Sequence, residues 1–252
     1  MRYFERQALD TNIQHQLNEK QSINWNSLTD AQRKEIRLKL HVSQQSLCAY
    51  CECIIKNIQI DDVKSKDADE YDRDIKMASH IEHFVERHDD STKIFDYANM
   101  LLSCEGDKMP LKKTFETTTT TAYRRDNISC GNGKEKSRHK DIEINYKLLL
   151  NPTTNNVSTL FSYTDGFIEP SDVCTLEQIN QVKYTVKRLN LDTIRLENLR
   201  IRKVREIRIQ LKDLTILQQK AFVQDLLDEK KTDLEPFIST IKDNFSFLLA
   251  IE

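Results

Sequence analysis

Two groups of residues in this chain could do chemistry by type and spacing. The first is sulfur. Cys48-Ala49-Tyr50-Cys51 offers two thiols from one tight turn, and Cys104 with Cys130 could supply two more from a second turn. The stretch between the latter pair is polar and includes five consecutive threonines, Thr117–Thr121, as a looped-out insertion would. Four thiolates complete a tetrahedral zinc shell, and such a shell can clamp a small polar domain that has little core. The competing reading makes Cys104 and Cys130 buried inert thiols, but buried cysteines seldom flank sequence this polar. Redox chemistry at Cys48-x-x-Cys51 is the weaker alternative, because no apolar strand precedes the pair. Cys53 and Cys174 stand outside the set.

The second group is His80-Ile81-Glu82-His83-Phe84, which lies between the two cysteine pairs. A carboxylate beside an imidazole allows one side chain to hold a divalent cation while the other takes a proton from water. A neutral imidazole suits the second task near pH 7. Glu-His dipeptides are common on solvated surfaces; here the order Cys-x-x-Cys, acid-His, Asn99, Cys104, Cys130 gives the pair its weight. This reading requires both side chains to meet around one cation.

Composition removes several other classes. The chain has 252 residues, 38% hydrophobic and 31% charged, enough for one large domain or two small ones. Its four glycines fall far below the roughly 7% typical of globular proteins, and neither G-x-G-x-x-G nor G-x-x-x-x-G-K-[ST] occurs. Dinucleotide binding and P-loop nucleotide hydrolysis are therefore not expected. The first residues lack the apolar stretch of a signal peptide, and no apolar run is long enough to span a bilayer. A cytoplasmic protein without a membrane partner is the expectation, with its cysteines reduced. Net charge is −2, which favours no class of partner.

The elements that must position these groups read as α+β, rich in helix. Thr29-Asp30-Ala31-Gln32 is a capping box that opens a helix through Ile36 and Leu40 and stops before the Cys48 turn. Residues 56–78 are polar and patternless, an exposed loop or insertion. Asp67-x-Asp69 within it is not a calcium loop, because Tyr71 and Asp72 stand where a ligand and a glycine are needed. A second polar insertion covers 105–127. Val157–Thr164 and Phe167–Glu169 flank Asp165-Gly166, a hairpin signal. Helices follow: one from the capping box Thr175-Leu176-Glu177-Gln178, then Ile194–Leu211, Leu214–Leu227, and a last one introduced by Asp233 with Pro236 in its first turn. Three segments result: an N-terminal helical part (1–47), a central part with two insertions (48–150), and a β-hairpin with C-terminal helices (151–252).

Taken together, Cys48-Ala49-Tyr50-Cys51-Glu52, His80-Ile81-Glu82-His83-Phe84, Asn99-x-Leu101-Leu102-Ser103-Cys104 and Cys130-Gly131-x-x-Lys134 resemble the HNH (ββα-metal) endonucleases. More narrowly they are similar to the PtuB-type nucleases of Septu and retron antiphage systems. Trp25, Asn151-Pro152, the hairpin around Asp165-Gly166, Leu189-Asn190-Leu191 and Leu199-Arg200 extend the likeness from about residue 25 to 200. The resemblance implies a ββα-metal core with zinc knuckles, surrounded by N- and C-terminal helices. It implies Glu82 as acidic metal ligand, His83 as general base and Asn99 as the residue that orients the base. Gly131 stands where many such proteins have a histidine ligand. Asn132 or His139 could replace it, Asn132 being nearer the knuckle, and His80 is either a further ligand or a packing residue.

The implied chemistry is phosphodiester hydrolysis with Mg²⁺ or Mn²⁺ beside a structural Zn²⁺, with DNA favoured as substrate. The implied partners are a PtuA-like ATPase, nucleic acid and, in retron systems, a reverse transcriptase with its RNA–DNA product. Two basic clusters then become phosphate contacts: Lys134, Lys136, Arg138 and Lys140, and the helical stripe of Arg202, Arg205 and Arg208 with Arg195 and Lys212. Without the motif such a stripe reads as a solvated face. The alternatives are a non-catalytic zinc-binding adaptor and an HNH-type RNase acting on tRNA.

Overall fold

The computed structural model describes residues 1–19, 24–55, 79–104, 106, 127–136, 139 and 143–250, with the backbone alone at 135 and 136. The loop expected at 56–78, most of the insertion at 105–127, and Arg138 and Lys140 lie outside the described residues, as does the side chain of Lys136. The chain is helix-rich with two small antiparallel sheets, an α+β arrangement.

The N-terminal segment carries two helices, α1 (Thr11–Asn18) and α2 (Asp30–Ser43). Weak periodicity conceals α1, which Asp10 caps by accepting from the Asn12 and Ile13 amides. The capping box predicted for α2 is present: Thr29 accepts from the Gln32 amide, and Gln32 returns the bond to the Thr29 amide. Strands β1 (Ser79–His83) and β2 (Met100–Cys104) then pair antiparallel, with His80 opposite Ser103 and Glu82 opposite Leu101. A short helix, α3 (Cys130–Lys136), follows β2 and is anchored to it where the Gly131 amide donates to Ser103 Oγ at 2.9 Å.

The hairpin is held from several sides. Gln44, buried just beyond α2, donates to the Leu102 carbonyl at 2.9 Å and accepts from the Leu102 amide at 2.8 Å. The Ala49 amide also reaches the Leu102 carbonyl, at 3.1 Å. These bonds occupy the edge of β2 that β1 does not cover, so no strand edge is left open there. From α2, Arg37 donates to both the carbonyl and the hydroxyl of Ser79 at 2.9 Å.

Beyond the hairpin, β3 (Phe161–Ser162) and β4 (Glu169–Pro170) pair around the predicted Asp165-Gly166 turn. The strands are shorter than expected, because Val157–Leu160 forms a 3-10 turn instead of extended chain. Helices α4 (Leu176–Leu189), α5 (Ile194–Leu211) and α6 (Ile216–Leu226) match the periodic stretches, and α4 and α6 both open with capping boxes. The final helix, α7 (Ile238–Phe245), begins two residues after Pro236 rather than around it. Phe237 adopts the left-handed conformation just before the helix, so Pro236 stands outside it.

One hydrophobic core draws on all three segments: Leu17 and Ile36, Tyr50 and Leu101, Leu160 and Leu189 belong to the same buried cluster. A second cluster of Val204, Ile207, Val223, Ile241 and Phe245 holds α5, α6 and α7 together. Gly133 lets α3 press against the end of α4, since a Cβ there would lie 2.7 Å from the Leu189 carbonyl oxygen. Among the described residues no helix is long and apolar enough to cross a membrane.

Candidate metal centre and imidazole site

Four cysteines predicted to act together do come together. The sulfurs of Cys48, Cys51, Cys104 and Cys130 all lie within 4.8 Å of one another, and all four residues are buried. The Cys51–Cys104 and Cys104–Cys130 separations are both 3.6 Å. A tetrahedron of sulfurs about 2.3 Å from a zinc ion has edges of about 3.8 Å, so the spacing suits that ion. The local chain explains the placement. Cys48 donates its amide to the Cys53 carbonyl, the Glu52 amide returns to the Cys48 carbonyl, and Glu52 takes a positive φ that closes the turn. The Cys104 amide donates to Cys48 Sγ at 3.3 Å, linking the knuckle to the end of β2. Cys53 is buried beside the cluster but is not one of the four, and Cys174 donates to the Leu160 carbonyl. Arg200, fully buried beneath the knuckle, bonds the Leu191 carbonyl and lies over the Tyr163 ring. Burial pushes its pKa down, and the cysteines and Glu52 around it oppose that shift. Four buried cysteines this close can hold a metal ion such as zinc.

Glu82 and His83 occupy separate surroundings, contrary to the expectation that they would meet around one cation. Consecutive residues of a strand point to opposite faces, and β1 obeys that rule. On one face Glu82 Oε2 lies 3.3 Å from His80 Nε2, while Glu82 Oε1 forms an ion pair with Lys134 Nζ. Lys134 also donates to the His83 and Phe84 carbonyls at 2.9 and 3.2 Å, so its three protons face three oxygens. Burial resists ionisation of Glu82, yet Lys134 and His80 together bring its pKa down to about 2. Lys134, predicted as a phosphate contact, is thus a buried counter-ion only 2% exposed and is not presented to nucleic acid.

On the opposite face the His83 ring packs edge-on against Trp25, 4.7 Å between centroids, and Nε2 lies 2.9 Å from the Ile94 carbonyl. A carbonyl only accepts, so Nε2 carries the proton and Nδ1 keeps its lone pair. Burial lowers the His83 pKa, assisted by the nearby Arg87 and opposed by the Ile94 bond, so the ring is neutral at pH 7. Arg87 in turn lies over the Trp25 ring. Among the described residues no hydrogen bond joins the Asn99 side chain to His83. The Asn99 side chain accepts from the Val85 amide and donates to the Val85 and Lys93 carbonyls, closing the loop that carries Ile94. Through that loop it holds the Ile94 carbonyl that bonds the His83 ring.

The remaining candidates fall in several places. Asn132 is buried on α3. His139 lines a different groove, with Ile168, Val182 and Lys187, and its carbonyl accepts from Arg188. Arg202, Arg205 and Arg208 are exposed on α5, whereas Arg195 turns inward to donate to Ser129 Oγ. Sequence reasoning missed the Ile94 carbonyl, which as a backbone group leaves no trace in residue type, and the partnership of Lys134 with Glu82, which requires α3 to lie across β1.

Removal of Lys134 should expose the strength of that partnership. Lys134→Met leaves a buried carboxylate without its counter-charge, and breaking such a pair costs about 3–5 kcal/mol. Chemical denaturation should show this loss, with most of it recovered in the Lys134→Met/Glu82→Gln double variant. The chain matches no family model and no curated protein.

Proposed function

We propose that this chain is a metal-dependent endonuclease of the HNH (ββα-metal) type, hydrolysing phosphodiester bonds of nucleic acid, DNA before RNA. The observation that carries the reading is the imidazole of His83. It sits at the end of the first strand of a β-hairpin, is held neutral, and has one nitrogen tied to a backbone carbonyl and the other left with a lone pair. That is how a base aimed at water must be prepared. A hairpin followed by a helix, joined at their ends by four thiols, supports the same reading, as does the order of the motifs in sequence. Because Glu82 and His83 face apart, they would not share one cation as expected from sequence. Mg²⁺ or Mn²⁺ held by Glu82 with one further ligand would supply charge to a phosphate oxygen and to the leaving oxygen from one side of β1, and His83 would act on water from the other. Glu82 suits that task in one respect: Lys134 claims only one of its carboxylate oxygens. His83 would take the proton of the attacking water at Nδ1, Asn99 and Ile94 would fix the ring, and Trp25 would shield it. The exposed Arg202, Arg205 and Arg208 would meet phosphates. Association with a PtuA-like ATPase in an antiphage system belongs to the same proposal and is supported by the resemblance of the motifs in sequence.

One observation favours a second reading, that of a zinc-stapled docking module without catalysis. Glu82 is already neutralised by Lys134, and it and His83 face apart. Incubating the purified protein with plasmid DNA and with total RNA, with Mn²⁺ or with chelator, separates the two. The nuclease reading expects products that need the metal; the docking module yields none on either substrate. The cleavage rate should also follow the ring's charge. A base whose pKa is lowered from 6.5 is unprotonated across neutral pH, so the rate should be flat near pH 7 and decline only on acidification below the usual histidine range. A midpoint above 6.5 in the pH–rate profile would contradict the assignment.

A further inference from the structure

Gly131, in the first turn of α3, faces β1, and the space beside it is filled. A Cβ built on Gly131 would lie 2.5 Å from Glu82 Oε2 and 3.0 Å from His80 Nε2. The strand therefore places a carboxylate oxygen and an imidazole nitrogen where a side chain from the helix would otherwise be. His80 and Glu82 are two residues apart on β1 and share a face, so the strand itself brings them together.

Resting on the nuclease reading, we infer that His80 is the second ligand of the divalent cation, that it binds with Glu82 Oε2, and that Gly131 is small in order to admit it. The two donor atoms are 3.3 Å apart. Donors about 2.1 Å from a common ion are about 3.0 Å apart at a right angle and about 3.4 Å apart at the tetrahedral angle. The pair thus spans one ion with little movement. Binding replaces the present His80–Glu82 hydrogen bond: the neutral ring carries its proton on Nδ1 and offers the Nε2 lone pair. Lys134 need not leave, because it holds the other carboxylate oxygen together with the His83 and Phe84 carbonyls. The His80 side chain is 28% exposed against 11% for Glu82, so the open coordination positions lie on the imidazole side. A mixed nitrogen and oxygen donor pair selects Mn²⁺ or a later transition ion over Mg²⁺, which prefers oxygen alone. Asn132 and His139 are then not required as ligands.

The test is a Mn²⁺ titration of the full zinc-loaded chain, followed by the loss of the free Mn²⁺ signal in electron paramagnetic resonance. His80→Ala should weaken binding at least tenfold while zinc content and circular dichroism stay unchanged. Gly131→Ala should weaken it as well, because the new methyl group displaces both donors. Mg²⁺ should compete poorly. A rival cluster exists at Glu86, His88 and Asp89, where His88 Nε2 lies 3.3 and 3.2 Å from the two carboxylates. His88→Ala should leave the titration unchanged. Unaltered binding in His80→Ala, or an equal loss in His88→Ala, would overturn the inference. Either result would leave the nuclease reading to its own cleavage assay. Absence of Mn²⁺ binding by the unmodified protein would overturn the inference too, and metal-dependent cleavage in the same preparation would show that the nuclease reading had survived it.

Discussion

Cys104→Ser should abolish stoichiometric zinc binding and unfold the hairpin region. Cys104 ends β2, touches the sulfurs of Cys51 and Cys130, and gives its amide to Cys48, so it joins knuckle, strand and helix at once. Structural zinc contributes on the order of 10 kcal/mol to small domains, comparable with the 5–15 kcal/mol net stability of an ordinary protein. The apolar contacts available to α3 are few, because the helix is short and its sequence, Cys130-Gly131-Asn132-Gly133-Lys134, has little to bury. A strong chelator should have the same effect on the unmodified chain. Atomic-emission zinc analysis beside thermal unfolding checks both. The variant should bind well under one equivalent and unfold at least 10 °C lower, or in two stages, with α5, α6 and α7 persisting on their own core. Cys174→Ser, at a thiol outside the cluster, should leave both measurements unchanged.

His83→Ala should leave zinc content intact and lower cleavage by about 10²–10⁴-fold, the usual worth of a positioned general base. The ring contributes one bond to Ile94 and one edge contact to Trp25, so the variant should lose only about 1–3 kcal/mol of stability, well short of unfolding. Asn99→Ala should give a milder version of the same defect with a larger cost in stability, because it opens the loop instead of removing the base. Gel-based rates on plasmid with equal zinc loading measure the difference. Undiminished cleavage by His83→Ala would remove the base from the account.

Much of this arrangement was legible in sequence, for identifiable reasons. Two helix starts were readable because Thr29 and Thr175 each precede a glutamine that completes a capping box, a local device that depends on nothing distant. The same box at Thr215 went unread, and that helix was placed by its periodicity. The sulfur cluster was readable because few other arrangements satisfy two cysteine pairs separated by polar chain. Features created by docking were not readable. Lys134 looked like one more cation in a basic run until α3 placed its ammonium against Glu82, reversing its role from surface contact to buried counter-ion. The opposed directions of Glu82 and His83 follow from strand alternation, but only once β1 is known to include both. Pro236 was assigned to a first helical turn on propensity alone, and the left-handed Phe237 delays the helix by two residues. The same holds for α1, whose polar sequence gives little pattern and whose one buried leucine, Leu17, needs the main core to justify it.

The account depends on His83 presenting an unprotonated Nδ1 while Ile94 holds the other nitrogen. Nitrogen-15 resonances of the imidazole, recorded on the zinc-loaded protein at pH 7 and assigned by their disappearance in His83→Ala, measure this directly. A neutral ring with the proton on Nε2 is the predicted result. A doubly protonated ring at that pH, or a neutral ring with its proton on Nδ1, would contradict it.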